Sequence, residues 1–117
     1  MQVSIDEIEG PQELTERSPV VADLLREMPG KDRPDYWLAR LATPLPAPPG
    51  PDVTHIILAT RWAGTAIEPG MADVLVGIAY VTDASLLNDR ELTFSKSRYV
   101  AIGTATDTSA GTPRTPS

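Results

Sequence analysis

Cysteine is absent from this chain of 117 residues. Its absence excludes disulfides, thiolate nucleophiles and sulfur-ligated zinc or iron–sulfur sites. Lysine occurs only as Lys31 and Lys96, beside eight arginines, and no cluster of basic residues appears. Binding to a phosphate backbone needs such a cluster. We therefore expect neither nucleic acid nor an anionic membrane surface as a partner.

Long apolar runs are also missing, because the longest strictly apolar stretches have four residues, as in 56–59. This excludes a transmembrane helix. The N-terminus, MQVSIDEIEG, is acidic and has no apolar signal region, so we expect a cytoplasmic protein. The scarcity of lysine, with abundant alanine, proline and threonine, is typical of a GC-rich bacterial genome. The length predicts a single domain.

Negative charge is unevenly distributed along the chain. The net charge is −6, and residues 1–35 hold nine acidic against four basic residues, whereas the remainder is close to neutral. The first dozen residues are typical of a flexible or weakly docked segment that ends near Gly10-Pro11. We therefore predict that residues 1–17 form an acidic N-terminal arm, partly flexible, that is suited to contact a protein partner.

Two dense apolar runs, VTHIILATRW and ADVLVGIAYVTD, lie within residues 53–83. Their content of Val, Ile, Leu and aromatic residues predicts neighbouring strands at the centre of a sheet. A third run, 36–42, predicts a strand with Trp37, Ala39 and Leu41 on one face. A helix over 35–43 is the alternative, because Asp35 could cap it, but the terms that favour helix are individually small.

A short helix is predicted after Ser18-Pro19, where serine can cap free amides and proline suits the first helical position. The following VVADLLREM places apolar residues at helical spacings. Farther along, 84–89 predicts one helical turn begun by Asp83 or Ser85. The segments 91–95 and 98–104 predict a final hairpin.

These elements predict an α+β fold, in which the short N-terminal helix packs on a bent antiparallel sheet or a partly open β-barrel of about five strands. The domain would span residues 18–106, and residues 107–117 would form a disordered tail. A two-layer sandwich with a second helix over 35–43 is the alternative. Exposed sheet edges would be protected by the proline-rich loop from Pro44 or by a homodimer.

No catalytic constellation is evident, because no serine lies in a nucleophile-elbow pattern and no glycines have phosphate-binding spacing. His55 is the only histidine and has no partner at metal-ligand spacing, so we predict no catalytic residues, no metal and no cofactor. Arg40 and Arg61 lie inside apolar runs, where a charge needs a partner, an anionic ligand or an exposed face.

Two functions from different classes fit these residues. The first is a non-catalytic binding or accessory protein that engages a protein partner through its acidic N-terminal region and exposed aromatic residues. The second is a small enzyme or small-molecule-binding protein with a pocket lined by His55, Arg61 and aromatics. The candidate ligand-binding residues are Tyr36, Arg40, His55, Arg61, Trp62, Tyr80 and Asp83.

Overall fold

A computed structural model describes residues 1–33, 35–47, 50–61 and 65–108. Within these ranges the chain is mostly sheet. The elements in chain order are β1 (Gln2–Glu9), α1 (Gln12–Thr15), β2 (Val20–Glu27), β3 (Trp37–Leu45), β4 (Val53–Thr60), β5 (Val74–Val81), two 3₁₀ helices (Ala84–Asn88 and Phe94–Lys96) and β6 (Ser97–Asp107). The six strands close into an antiparallel barrel in sequence order, with β6 pairing back to β1. None of the helices in these ranges has the length and apolar character needed to cross a membrane.

The predicted α+β fold is wrong, because the segment predicted as the N-terminal helix is strand β2. β2 alternates: Ala22 and Leu24 are buried, whereas Leu25 is 43% exposed. Both the 3.6-residue and the two-residue period fit this segment. The two-residue period prevails because β2 pairs with β1 on one side and β3 on the other. The sheet is therefore a closed six-stranded barrel rather than a five-stranded sheet carrying a helix.

Strand β1 occupies about half of the segment predicted as an arm and lies between β2 and β6. Val3 and Ile5 are fully buried and alternate with polar residues, as expected for a strand. A β-bulge then interrupts the pattern: Asp6 pairs with Thr104 and Glu9 with Ile102, so two residues of β1 oppose Gly103 alone. This break conceals the strand in the sequence.

The central strands are confirmed. β4 and β5 pair directly, with Leu58 opposite Ile78, and 35–43 lies mostly in strand β3 rather than in a helix. This overturns the sandwich alternative. The helical turn after Asp83 is confirmed as the first 3₁₀ helix, whereas the predicted final hairpin is wrong: a 3₁₀ helix precedes one long strand, β6. Residues 109–117 of the predicted tail lie outside the described residues.

The barrel interior is filled by side chains, which we call the inner core. Six strands enclose a space that side chains of ordinary size can fill. Helix α1 covers the end where β1 stops, because Leu14 is fully buried and the hydroxyl of Tyr80 donates to Glu13 Oε2 at 2.9 Å. The largest fully buried members are Ile5, Leu14, Ile56, Leu58, Ile78 and Tyr80.

A second hydrophobic cluster lies outside the barrel wall, on the outer faces of β3 and β4. This outer cluster consists of Met28, Leu38, Ile57, Leu86 and Leu92. The segment 84–96 covers it and is tied down from β2, since Arg26 Nη2 donates to the carbonyl oxygens of Leu87 (3.0 Å) and Asp89 (2.6 Å). The chain thus has two apolar layers separated by the wall formed by β3 and β4.

Candidate binding site

A small groove on the outer face of β4 and β5 brings together two arginines and two tyrosines. Its floor is made of small side chains on adjacent strands, and its volume is about 110 Å³. We call this site the tyrosine groove. Its residues are Arg33, Tyr36, Ile57, Ala59, Thr60, Arg61, Gly77, Ala79 and Tyr99. The groove contains two of the predicted site residues, Tyr36 and Arg61.

Arg33 lies at one side of the tyrosine groove, and an ion pair neutralises its charge. Its guanidinium forms a two-point ion pair with Asp35, and Nη2 also donates to the hydroxyl of Thr60 at 3.2 Å. These bonds raise the pKa of Arg33, chiefly through the hydrogen bond to Asp35, and lower the pKa of Asp35. Arg33 therefore positions the loop before β3 and offers little free charge to a ligand.

Arg61 presents an unneutralised charge on the other side. No carboxylate of the described residues lies within ion-pair distance of it. Its Cζ lies 5.6 Å from the ring centroid of Tyr99, within the range of a cation–π contact. Tyr99 is 56% exposed, so the pair stands at the surface. The charge of Arg61 is accordingly available to a partner.

Gly77 sets the depth of the groove beneath this pair. A Cβ atom there would lie 3.0 Å from Cε2 of Tyr99 and 3.4 Å from Cδ of Arg61. The missing side chain therefore lets the tyrosine ring and the arginine stem lie close against the sheet. A larger residue at this position would push both outward and change the shape of the groove.

Tyr36 forms the opposite wall. Its ring packs edge-on against Phe94, with centroids 6.1 Å apart, and its hydroxyl donates to Asp32 Oδ2 at 2.8 Å. Burial, followed by the hydrogen bond to Asp32, raises the pKa of Tyr36 to about 12. Phe94 is half exposed, so the apolar surface extends beyond the groove.

The raised pKa of Tyr36 predicts a loss of stability at high pH. The unfolded chain, with the ordinary pKa of 10.0, releases this proton first, so the free energy of unfolding falls as the pH rises from about 10 to about 12. We expect Tyr36→Phe to show a smaller fall in melting temperature across this window than the native chain. Melting at neutral pH provides the reference for each protein. An equal fall in both would contradict the assignment.

Arg40 and His55 form a separate outer-face pair, directly opposite each other on β3 and β4. Arg40 Nη2 lies 3.5 Å from Asp23 Oδ2, and the Thr54 hydroxyl lies 2.9 Å from His55 Nδ1. Burial, with a smaller contribution from Arg40, lowers the pKa of His55. Neither residue lines the groove, whose lining on β4 begins at Ile57 of the outer cluster.

The other predicted site residues lie elsewhere. Tyr80 is in the inner core, where burial and the hydrogen bond to Glu13 raise its pKa. Asp83 caps the first 3₁₀ helix by accepting from the Ser85 amide at 2.9 Å, which lowers the pKa of Asp83. Trp62 lies outside the described residues. Of the predicted residues that the structure describes, Tyr36 and Arg61 line the tyrosine groove and the others lie outside it.

Comparison of the chain with models of known protein families, with curated proteins and with solved structures found no match. Among the described residues, no group of three or more histidine, aspartate or glutamate side chains could hold a metal ion. The tyrosine groove must therefore be interpreted from its own geometry.

Sequence reasoning missed the other seven residues of the groove, among them Arg33, Tyr99 and Gly77, which forms its floor. Alternation places Arg61, directly after β4, on the outer face, but it places Tyr99 with the buried Ala101 on the inner face of β6, and only a bulge turns Tyr99 outward. Their proximity depends on the β5–β6 register, which shifts at a bulge between Ile78 and Ala79. No local signal in the sequence reveals that register shift.

Proposed function

We propose that this chain is a non-catalytic binding protein that engages a protein partner through the tyrosine groove. The observation that carries this proposal is the pairing of the exposed Tyr99 with the unneutralised Arg61 over the Gly77 floor. Tyrosine and arginine are the residue types most enriched at the energetic centres of protein interfaces, together with tryptophan. Their joint exposure supports a contact surface.

The size of the groove favours a protein side chain over a small molecule. Pockets that bind drug-sized ligands have volumes of about 300–1,000 Å³, whereas the tyrosine groove has about 110 Å³. A space of this size suits one side chain inserted from a partner. The half-exposed ring of Phe94, packed against Tyr36, extends the apolar area around that insertion point.

Charge specifies the inserted side chain. Arg33 is neutralised by Asp35, but Arg61 is not neutralised by any described residue. A partner carboxylate could form a two-point hydrogen-bonded pair with the guanidinium of Arg61 while its methylene groups lie against Tyr99. We therefore infer that the partner presents an acidic side chain flanked by apolar residues.

The acidic N-terminal region is not part of the groove lining. β1, which carries the exposed Asp6, Glu7 and Glu9, is three strands from β4, but it pairs with β6, the strand of Tyr99. No residue of β1 lines the groove among the described residues. In our proposal the groove makes the contact, and the acidic side contributes only long-range steering that weakens as salt is added.

Affinity capture from cells, followed by binding measurements with the purified partner, tests the proposal. We expect Arg61→Ala and Tyr99→Ala each to weaken binding by about thirtyfold, the effect of losing a residue at the energetic centre of an interface. Arg40→Ala is the matched control, because this exposed arginine lies on the outer face of β3, away from the groove. It should bind like the native chain.

The alternative outcomes are informative. Binding that is insensitive to Arg61→Ala and Tyr99→Ala but lost on removing Asp6, Glu7 and Glu9 charges would place the contact on the acidic side and refute the groove. Sensitivity to Arg40→Ala and His55→Ala would instead support the broader pocket predicted from the sequence. Melting temperatures of all variants check that the barrel is intact.

A further inference from the structure

The barrel wall opens between β2 and β3 at the end covered by α1. The last pair of the β2–β3 ladder at this end joins Ala22 to Leu41. Beyond it, Val20 and Val21 still pair with β1, but no residue of β3 pairs with them. The β3–β4 register is also irregular at this end, between Arg40 and Leu45.

A cavity of about 340 Å³ fills this opening. Both inward-facing and outward-facing residues of β2 and β3 line it. Leu41 and Leu45 are buried members of the inner core, and Val20 packs against that core. Val21 and Ala42 occupy the adjacent outward positions and also line the cavity. The cavity therefore runs from the surface to the inner core, and we call it the wall cavity.

The mouth of the wall cavity carries one cation. Arg17 lines it together with the hydroxyl-bearing Thr43, and none of the acidic residues that the structure describes is part of the lining. Arg17 is exposed, and no carboxylate of the described residues lies within ion-pair distance of it. The site thus combines an apolar channel with a single positive group at its entrance.

We propose that the wall cavity binds a small amphipathic anion, a carboxylate with an unbranched aliphatic chain. The chain would enter between Val20 and Leu41, and the carboxylate would pair with the Arg17 guanidinium. The volume of about 340 Å³ falls in the range of small-molecule pockets. This function is independent of the tyrosine groove, which lies on the outer face of β4 and β5.

Calorimetric titration of the full chain with sodium decanoate tests this site. Decanoate should bind more tightly than decanol, which has the same chain without the charge, and more tightly than hexanoate. Each buried methylene group is expected to contribute about a fourfold change in affinity. Vesicles of phosphatidylglycerol form a separate arm, because an anionic lipid surface could also attract Arg17.

Two variants separate the anionic group from the apolar channel. Arg17→Gln should weaken decanoate binding by about tenfold or more and leave decanol binding unchanged. Ala42→Phe, at an exposed outward position on the cavity lining, should abolish binding of both. Arg90→Gln, an exposed arginine outside the cavity, is the control and should bind like the native chain.

Several results would overturn the proposal. They are an absence of binding at millimolar decanoate, equal binding of decanoate and decanol, or native affinity in Arg17→Gln or Ala42→Phe. Preference for vesicles over free decanoate would replace the soluble carboxylate with a lipid surface and would also overturn it. Melting curves confirm that each variant is folded. Failure here leaves the groove intact as a separate hypothesis, since Arg61 and Tyr99 are unchanged in these variants.

Discussion

Leu24→Ala is expected to lower the free energy of unfolding by about 2–5 kcal/mol, whereas Leu25→Ala changes it by no more than about 0.5 kcal/mol. The two leucines are adjacent in sequence, but Leu24 is 8% exposed and belongs to the inner core, and Leu25 is 43% exposed on the outer surface. Removing Leu24 leaves a cavity between β2, β1 and β3. Removing Leu25 leaves no cavity. Urea unfolding of both variants measures the difference.

This pair of substitutions distinguishes the strand from the predicted helix. In a helix over VVADLLREM both leucines would lie on one apolar stripe with Val21. Leu24 and Leu25 follow Val21 by three and four positions, and residues at these spacings share a helix face. Similar losses in the two variants would therefore contradict the strand assignment for β2. An unchanged slope of free energy against urea in both variants would show that the comparison concerns the folded state.

Central strands could be predicted from the sequence because their composition is unambiguous. β4 and β5 are dense in Val, Ile and Leu and are buried on much of both faces, the inner by the core and part of the outer by the outer cluster. Such runs are too apolar for a half-exposed helix. The face assignment on β3 also follows from alternation alone, since Ala39 and Leu41 are inner-core residues.

The peripheral strands could not be predicted, for two different physical reasons. β2 fits both periods, and the Ser18-Pro19 pair before it is typical of a helix start, so only pairing with β1 and β3 decides its state. In β1 the alternation of Val3 and Ile5 is broken by the bulge at Glu7, which has a positive φ of 51°. A short, interrupted alternation is hidden among acidic residues.

Some residues of the candidate site could likewise be predicted from the sequence, whereas their arrangement could not. Tyr36 and Arg61 were predictable as polar-tipped residues inside apolar runs, and they do line one groove. His55 and Arg61 share the outer face of β4, as alternation requires, yet the covered Ile57 lies between them. That cover comes from the segment 84–96, distant in sequence. Convergence of side chains therefore depended on tertiary contacts rather than on strand periodicity.

The outer cluster connects the fold to the proposed contact surface. Tyr36 packs against this cluster, and Phe94, which packs against Tyr36, begins the second 3₁₀ helix above it. Two backbone hydrogen bonds join the loops around the cluster: Met28 donates to the carbonyl of Tyr36 at 2.8 Å, and Leu92 donates to that of Pro29 at 2.9 Å. One wall of the tyrosine groove is thus held by apolar contacts outside the barrel.

Leu86→Ala is therefore expected to loosen the segment 84–96, which covers the outer cluster, without opening the barrel. Leu86 is fully buried, so its truncation should cost about 2–5 kcal/mol of local stability. Hydrogen exchange should accelerate about thirtyfold or more at the amides of Leu92 and Met28, while the central β4–β5 ladder keeps its protection. Leu25→Ala is the control and should leave all these amides unchanged.

The distribution of exchange rates decides whether the two apolar layers are separate units. An equal loss of protection throughout the described strands would show that cover and barrel open together, which would contradict a separately unfolding outer cluster. If the cover does open alone, Tyr36 loses its support, and Leu86→Ala should weaken binding of the partner even though it lies outside the groove. Full affinity in a variant with fast exchange at Leu92 would instead place the binding energy on the Arg61 and Tyr99 side, whose positions depend on Gly77 and the barrel wall.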